Sequence, residues 1–480
     1  MPGDSMNALS AASMRGNETI VRLLLEQGAV VRGRDALTSA SRHGNIAIAR
    51  LLLERGADMN AESKDFHSPL SAASCAGHIE IIQLLLERGA NVNEQIEESG
   101  NALQVASAAG HQEVVRFLLE KLADVNAQGG FHGNALQAAL SNGHIVIAEL
   151  LLEHGADTNA CGGGECGNAL QVASSGGYGR IVRVLLAKGV DVNAQGGKYG
   201  NALQAASSEG HIEVVQMLLE YGADVNAHGG RYMNALQGAS LLGHDMIVRL
   251  LLEQGAEVNA QEGHLRNSLQ AASLGGHDTT ILLLLDNGAD VNAQGGYFGN
   301  ALCAASLGGH HTTAQLLLEH GADINAQGGY FGNALCTASL KGCSATTRLL
   351  LAHGGDVNAY GGHFGNALSA ACWGGDEALV RLLLEHGAHL AARCGHFGTA
   401  LSAASFKGNK GIVQVLMAQG ANVNMQGGFF GNALQAASSR GCGTIVKMLL
   451  EKGADVNTQG GHYGNALQAA SSGGHSAIVY

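Results

Sequence analysis

The chain has 480 residues with 71 Gly, only 2 Pro and a formal net charge of −13. Glycine at about twice its usual roughly 7% would suit collagen only if proline were abundant, and 46% hydrophobic against 14% charged residues excludes a disordered low-complexity tract. The acidic balance argues against nucleic acid and anionic membranes as partners, since both need a concentrated Lys/Arg surface.

No apolar run approaches the roughly 18 residues of a membrane-spanning helix, and the opening MPGDSMNALS lacks the basic-then-apolar layout of a signal peptide. The expectation is a soluble intracellular protein, cytoplasmic or nuclear, whose nine cysteines are reduced thiols.

A heptapeptide close to NALQAAS recurs, starting at residues 7, 35, 68, 101, 134, 168, 201, 234, 267, 300, 333, 366, 399, 432 and 465. Of the fourteen intervals twelve are 33 residues, one is 28 and one is 34. So regular a period predicts stacked units sharing one elongated core, a single array over residues 1–480. Between the first two starts five residues are missing, so the connection at 28–35 has no room for a full hairpin finger. The lengthened interval holds Gly162-Gly163-Gly164-Glu165-Cys166-Gly167, which matches G-x-G-x-x-G spacing but is one stretched copy of a recurrent Gly-Gly-x-x-Gly turn.

The unit from Asn201 to Met233 shows the local logic. Asn201 is a helix N-cap for the short Ala202–Ser207 stretch, and Gly210-His211 breaks it. Residues 212–220 then place Ile212, Val215, Leu218 and Leu219 on one apolar face that must pack on a neighbour. Gly222 follows as a left-handed stop, and His228-Gly229-Gly230-Arg231-Tyr232 reads as a hairpin finger. The last unit stops at residues 477–480 before its Leu-Leu-Leu stretch, and neither end shows a polar capping repeat. The expectation is a piece of a longer protein.

The pattern GHxxIVxLLLExGADVNA at this period resembles the ankyrin repeat over essentially the whole chain. The family's Thr-Pro-Leu-His opening is replaced by Asn-Ala-Leu-Gln, with only Ser68-Pro69-Leu70 retaining a proline. The resemblance implies an all-α fold, an ankyrin-repeat α-solenoid of helix-turn-helix pairs with β-hairpin-like fingers. It implies a non-catalytic, monomeric scaffold that binds a protein partner. Repeats of this Gly-Gly-finger type resemble fungal arrays that follow a nucleotide-binding (NACHT-type) domain of immune-like receptors. A ligand-sensing array of that kind and a free-standing substrate adaptor are the alternatives.

Nothing in the pattern resembles a catalytic set, a cofactor site or a metal site. The Gly-His slot (His78, His111, His144, His211, His244, His277, His310, His475) reads as a turn histidine bonding to backbone, because helix pairs about 8–10 Å apart cannot bring two imidazoles to one metal. Cys161 and Cys166 lack a second ligand pair, and Cys303 and Cys336, one repeat apart, are beyond disulfide reach.

Aromatic residues concentrate in the fingers. The slot two before the cap holds Phe66, Tyr199, Tyr232, Phe298, Phe331, Phe364, Phe397, Phe430 and Tyr463, which predicts a ladder stacking finger on finger. The tip slot before it holds Phe131, Lys198, Arg231, His264, Tyr297, Tyr330, His363, His396, Phe429 and His462. Exposed aromatic, Arg and His residues are what interface hot spots use, so this row is a candidate partner-binding site. A second candidate row, Leu241, Leu274, Leu307 and Leu340, lies at the end of the first helix where solvent exposure is expected. In ankyrin arrays both rows line the concave side.

Overall fold

Asn201 has an extended backbone, and its side-chain oxygen accepts the Gln204 amide at 2.8 Å while Gln204 Oε1 accepts the Asn201 amide at 2.9 Å. This reciprocal capping box satisfies two otherwise orphaned amides and starts the helix Ala202–Glu209. Gly210, at φ +84°, ends it, and the second helix, Ile212–Glu220, follows at once. Val214, Val215 and Leu218 are buried, whereas Ile212 and Leu219 are only half-buried; the buried face is turned by one residue from the one the spacing predicts.

The protein, described here by a computed structural model, is characterised over residues 7–31, 36–60, 68–96, 100–160, 167–392 and 395–479. The expectations about the connection at 32–35, Phe66, Cys161, Cys166 and the glycines at 162–164 lie outside these residues. Within the described residues the motif recurs as 30 helices, and the chain divides into two units, Met1–Ala235 and Leu236–Tyr480. In each unit successive first helices stack on one another and each second helix packs on its own first helix, an all-helical solenoid. In each unit the core is built from small first-helix residues and branched second-helix residues, as with Ala205, Ala206, Val215 and Leu218 in the first. Ten fingers close through a single antiparallel bridge, as between Gly196 and Gly200, and no longer strand forms among the described residues.

Three hydrogen-bonded ladders tie neighbouring repeats together. At the turn between helices, His111 Nε2 donates to the Cys75 carbonyl at 2.8 Å, His211 to Ser175 at 3.0 Å and His310 to Leu274 at 3.0 Å, as the turn-histidine reading expects. Asn45 and Asn409 replace the imidazole by an amide that reaches the Ser13 and Cys372 carbonyls. After the second helix, Asn193 Oδ1 accepts the Asp224 amide at 2.8 Å while its Nδ2 donates to the Gly222 carbonyl at 3.2 Å; Asn126, Asn259, Asn292 and Asn358 repeat the arrangement. At the finger, Gln104 Nε2 donates to the carbonyls of Ala127, Gly129 and Gly133 at 2.8, 3.3 and 3.2 Å. The Gln of the altered opening motif thus serves its own helix cap and the next finger together.

Two stability outcomes follow. Leu122 stands at φ +63° in solvent, in the slot that glycine fills in the other repeats. Left-handed backbone costs a side-chain-bearing residue about 1–2 kcal/mol, so Leu122→Gly should raise unfolding free energy by about 1 kcal/mol in urea titration. Gln104→Ala removes the capping box and the finger bonds together and should lower it by about 2 kcal/mol; a loss no larger than that of an exposed control substitution would contradict the latch.

Candidate interaction surface

The Gln latch is not used in every repeat. Its slot is occupied by Cys303, Cys336, Ser369 and Ser402 in four consecutive repeats, and their side chains are too short to reach the finger. The fingers those repeats would have latched carry Phe331, Phe364, Phe397 and Phe430, all buried. Phe364, Phe397, Phe430 and Tyr463 stack in turn at 6.1, 6.0 and 6.3 Å between ring centroids. Ring packing thus adds to the restraint of these fingers, and Phe298 is buried in the same way on a finger that Gln270 also latches. In the first unit the same slot is covered differently: Lys198 Nζ lies 4.5 Å above the Tyr199 ring, and the Arg231 guanidinium 5.5 Å above Tyr232.

The tip slot forms a second column. Tyr297, Tyr330, His363, His396, Phe429 and His462 stack face to face at 5.4, 4.9, 4.9, 5.0 and 4.5 Å. Each tip amide donates to the preceding tip carbonyl, from Tyr297 on His264 at 3.3 Å to His462 on Phe429 at 2.7 Å, so the backbone fixes the rings in register. Tyr297, Tyr330 and Phe429 are 47, 42 and 37% exposed, against 78% for Phe131, which packs only edge-on against His132. The tip residues are exposed, as the sequence expects, and from Tyr297 onward they form a continuous ribbon of ring edges. Lys198, Arg231 and His264, earlier in the same slot, are exposed.

Leu241, Leu274, Leu307 and Leu340 are half-buried, not solvent-exposed as expected. The following first helix comes too close for exposure: a Cβ at Gly275 would sit 2.5 Å from the Leu241 carbonyl oxygen, and one at Gly374 2.5 Å from that of Leu340. The same slot holds two further rings that the hydrophobic pattern alone does not single out. Trp373 and Phe406 lie at the 33-residue steps after Leu340, stack on each other at 5.7 Å, and rest on the buried finger rings Phe397 and Phe430 at 4.3 Å each. Counting on from Leu340 by the period would have found them.

In the first unit the helix-end slot holds Cys75 and Ala108, and the space is left open. A cavity of about 410 Å³ lies there, lined by Cys75, Val105, Ala108, Ala109, Phe131 and His132.

The family model described as ankyrin repeats (3 copies) matches residues 2–63, 56–129, 128–196, 195–262, 268–361, 302–394, 335–427, 368–460 and 401–480. The chain belongs to the ankyrin-repeat family. A search of the curated proteins finds no match. No helix among the described residues is long and apolar enough to cross a membrane.

Among the described residues no three His, Cys, Asp or Glu side chains converge on one metal position. Cys75, Cys303, Cys336, Cys343, Cys372 and Cys442 are free thiols, and burial pushes Cys303 up to about 12, which leaves it protonated and unreactive. Burial also raises Tyr330, with Tyr297 adding to it, and lowers His132. His363 is held below its ordinary value by burial and then by the neighbouring His396. A neutral His363 in the folded state contributes fully above the unfolded value of about 6.5, and the contribution is lost as pH falls through that value toward the lower folded one. The thermal midpoint should therefore fall less for His363→Phe, which keeps a ring but no proton site, than for wild type between about pH 7.5 and about pH 5.5. Equal falls in calorimetry would remove His363 from the acid response.

Proposed function

We propose that this ankyrin chain is a non-catalytic scaffold that binds a protein partner along the surface made by its finger tips and first-helix ends. Ankyrin repeats are in general protein-interaction modules, and the observation that carries the assignment to this surface is the stacked column from Tyr297 to His462. Its rings are already immobilised by the finger backbone, so association orders few side chains and more of the contact energy appears as affinity. Ring edges together with the Tyr hydroxyls and His ring nitrogens supply both apolar contact and hydrogen bonding, the combination that concentrates binding energy in a few anchors. Polar residues that recur every 33 positions give no unique converging set of the kind catalysis requires.

The double variant Tyr297→Ala/Tyr330→Ala should weaken capture of partner proteins by about tenfold or more while far-UV circular dichroism stays unchanged. The measurement is quantitative affinity capture from cytosol, wild type beside variant. Identical retained proteins at identical levels would falsify the finger-tip surface.

A further inference from the structure

Charge is distributed unevenly along this acidic chain. Residues 333–480 contain nine Lys and Arg against six Asp and Glu, while residues 1–332 contain 18 against 34. Between Glu385 and Glu451 there is no carboxylate at all. The surplus has a place in the fold. Lys341, Lys407 and Arg440 occupy one register position, where the first helix ends, and all three are exposed.

None of the three enters an ion pair among the described residues, whereas Arg381 pairs with Glu377. Lys407 Nζ instead lies 4.4 Å over the Trp373 ring, and the Arg440 guanidinium 5.2 Å over Phe406. A ring face orients a cation without neutralising it, so the charge stays available to a ligand. The finger tips of the same repeats are His363, His396, Phe429 and His462, and from Asn333 onward neither the tip slot nor the helix-end slot holds an Asp or Glu. A strip of flat rings and cations outside any ion pair thus runs along a protein whose net charge is −13, with the Asp376 carboxylate against Gly342 beside Lys341.

We propose that this strip, from Lys341 to Arg440, binds an extended acidic segment of a partner protein. Its carboxylates pair with the three cations, and its intervening apolar side chains lie on the Trp373, Phe406 and Phe429 rings. Charge complementarity selects the partner, and the rings supply contact area. Nucleic acid fits less well, because a polyanion needs many phosphate contacts and the strip offers three cations. The proposal rests on the scaffold reading and assigns it a partner class.

The test is selection of displayed random peptides on the full chain and on the charge-reversed variant K341E/K407E/R440E. Wild type should enrich peptides that mix Asp and Glu with apolar residues, and the reversed variant should lose them and enrich Lys and Arg instead. In fluorescence anisotropy with one selected acidic peptide, K407Q/R440Q should bind about tenfold more weakly, and the difference should shrink in high salt. An unbiased wild-type pool, or the same pool on both chains, overturns the acidic-segment proposal. If such peptides still depend on Tyr297 and Tyr330, the scaffold surface stands and only the partner class falls; if they depend on neither set, both fall. Tighter binding of a labelled thymidine oligonucleotide than of the best acidic peptide at physiological salt also overturns the proposal.

Discussion

Every short helix leaves carbonyls at its end and amides at its start without partners; in this protein the repeat's own asparagine caps the first-helix amides, and the neighbouring repeat takes up carbonyls at the helix ends. The histidine at the turn donates to a helix-end carbonyl one repeat back, and the asparagine after the second helix meets an amide and a carbonyl one repeat on. These bonds recur at one period, so each repeat is complete only when flanked. That dependence makes the array quasi-one-dimensional, with stability shared between a repeat and its interfaces. It also accounts for the composition, since the turn glycines, the histidines and the asparagines each hold a fixed place in the same exchange.

The finger is where the repeats differ from one another. One solution is the glutamine latch of Gln104 and Gln435, a polar side chain that reaches three carbonyls of the following finger. The other is the buried ring of Phe331, Phe364, Phe397 and Phe430, which follows Cys303, Cys336, Ser369 and Ser402. Both restrain the same loop, one through directed hydrogen bonds and one through apolar area and stacking. The exchange has a functional consequence. Rings that hold fingers in place also carry a second row of rings at the tips, so the part of the chain that gave up the latch presents the most aromatic surface.

Rigidity and recognition are linked through that exchange. A tip column whose backbone is bonded finger to finger presents side chains in one arrangement, and cations seated on Trp373 and Phe406 are oriented by the same packing. In the first unit the small residues Cys75 and Ala108 leave a cavity in place of this filled strip. The two units thus offer different surfaces from the same repeat, according to what fills one slot at the end of the first helix.

Much of the fold was legible in the chain alone. The 33-residue period, the asparagine caps and the left-handed glycines are local rules repeated many times, and each is visible because the residue type and the backbone conformation determine one another. The side-chain roles of Gln104 and Asn193 were not legible, since their partners lie 23 to 31 positions away. Nor was the half-burial of Leu241 and its row, or the single column from Tyr297 to His462. The period states which residues share a slot, but not how far one slot stands from the next. That distance is set by how closely the first helices pack and by the bonds between fingers, and only the tertiary structure brings rings 33 residues apart to within about 5 Å.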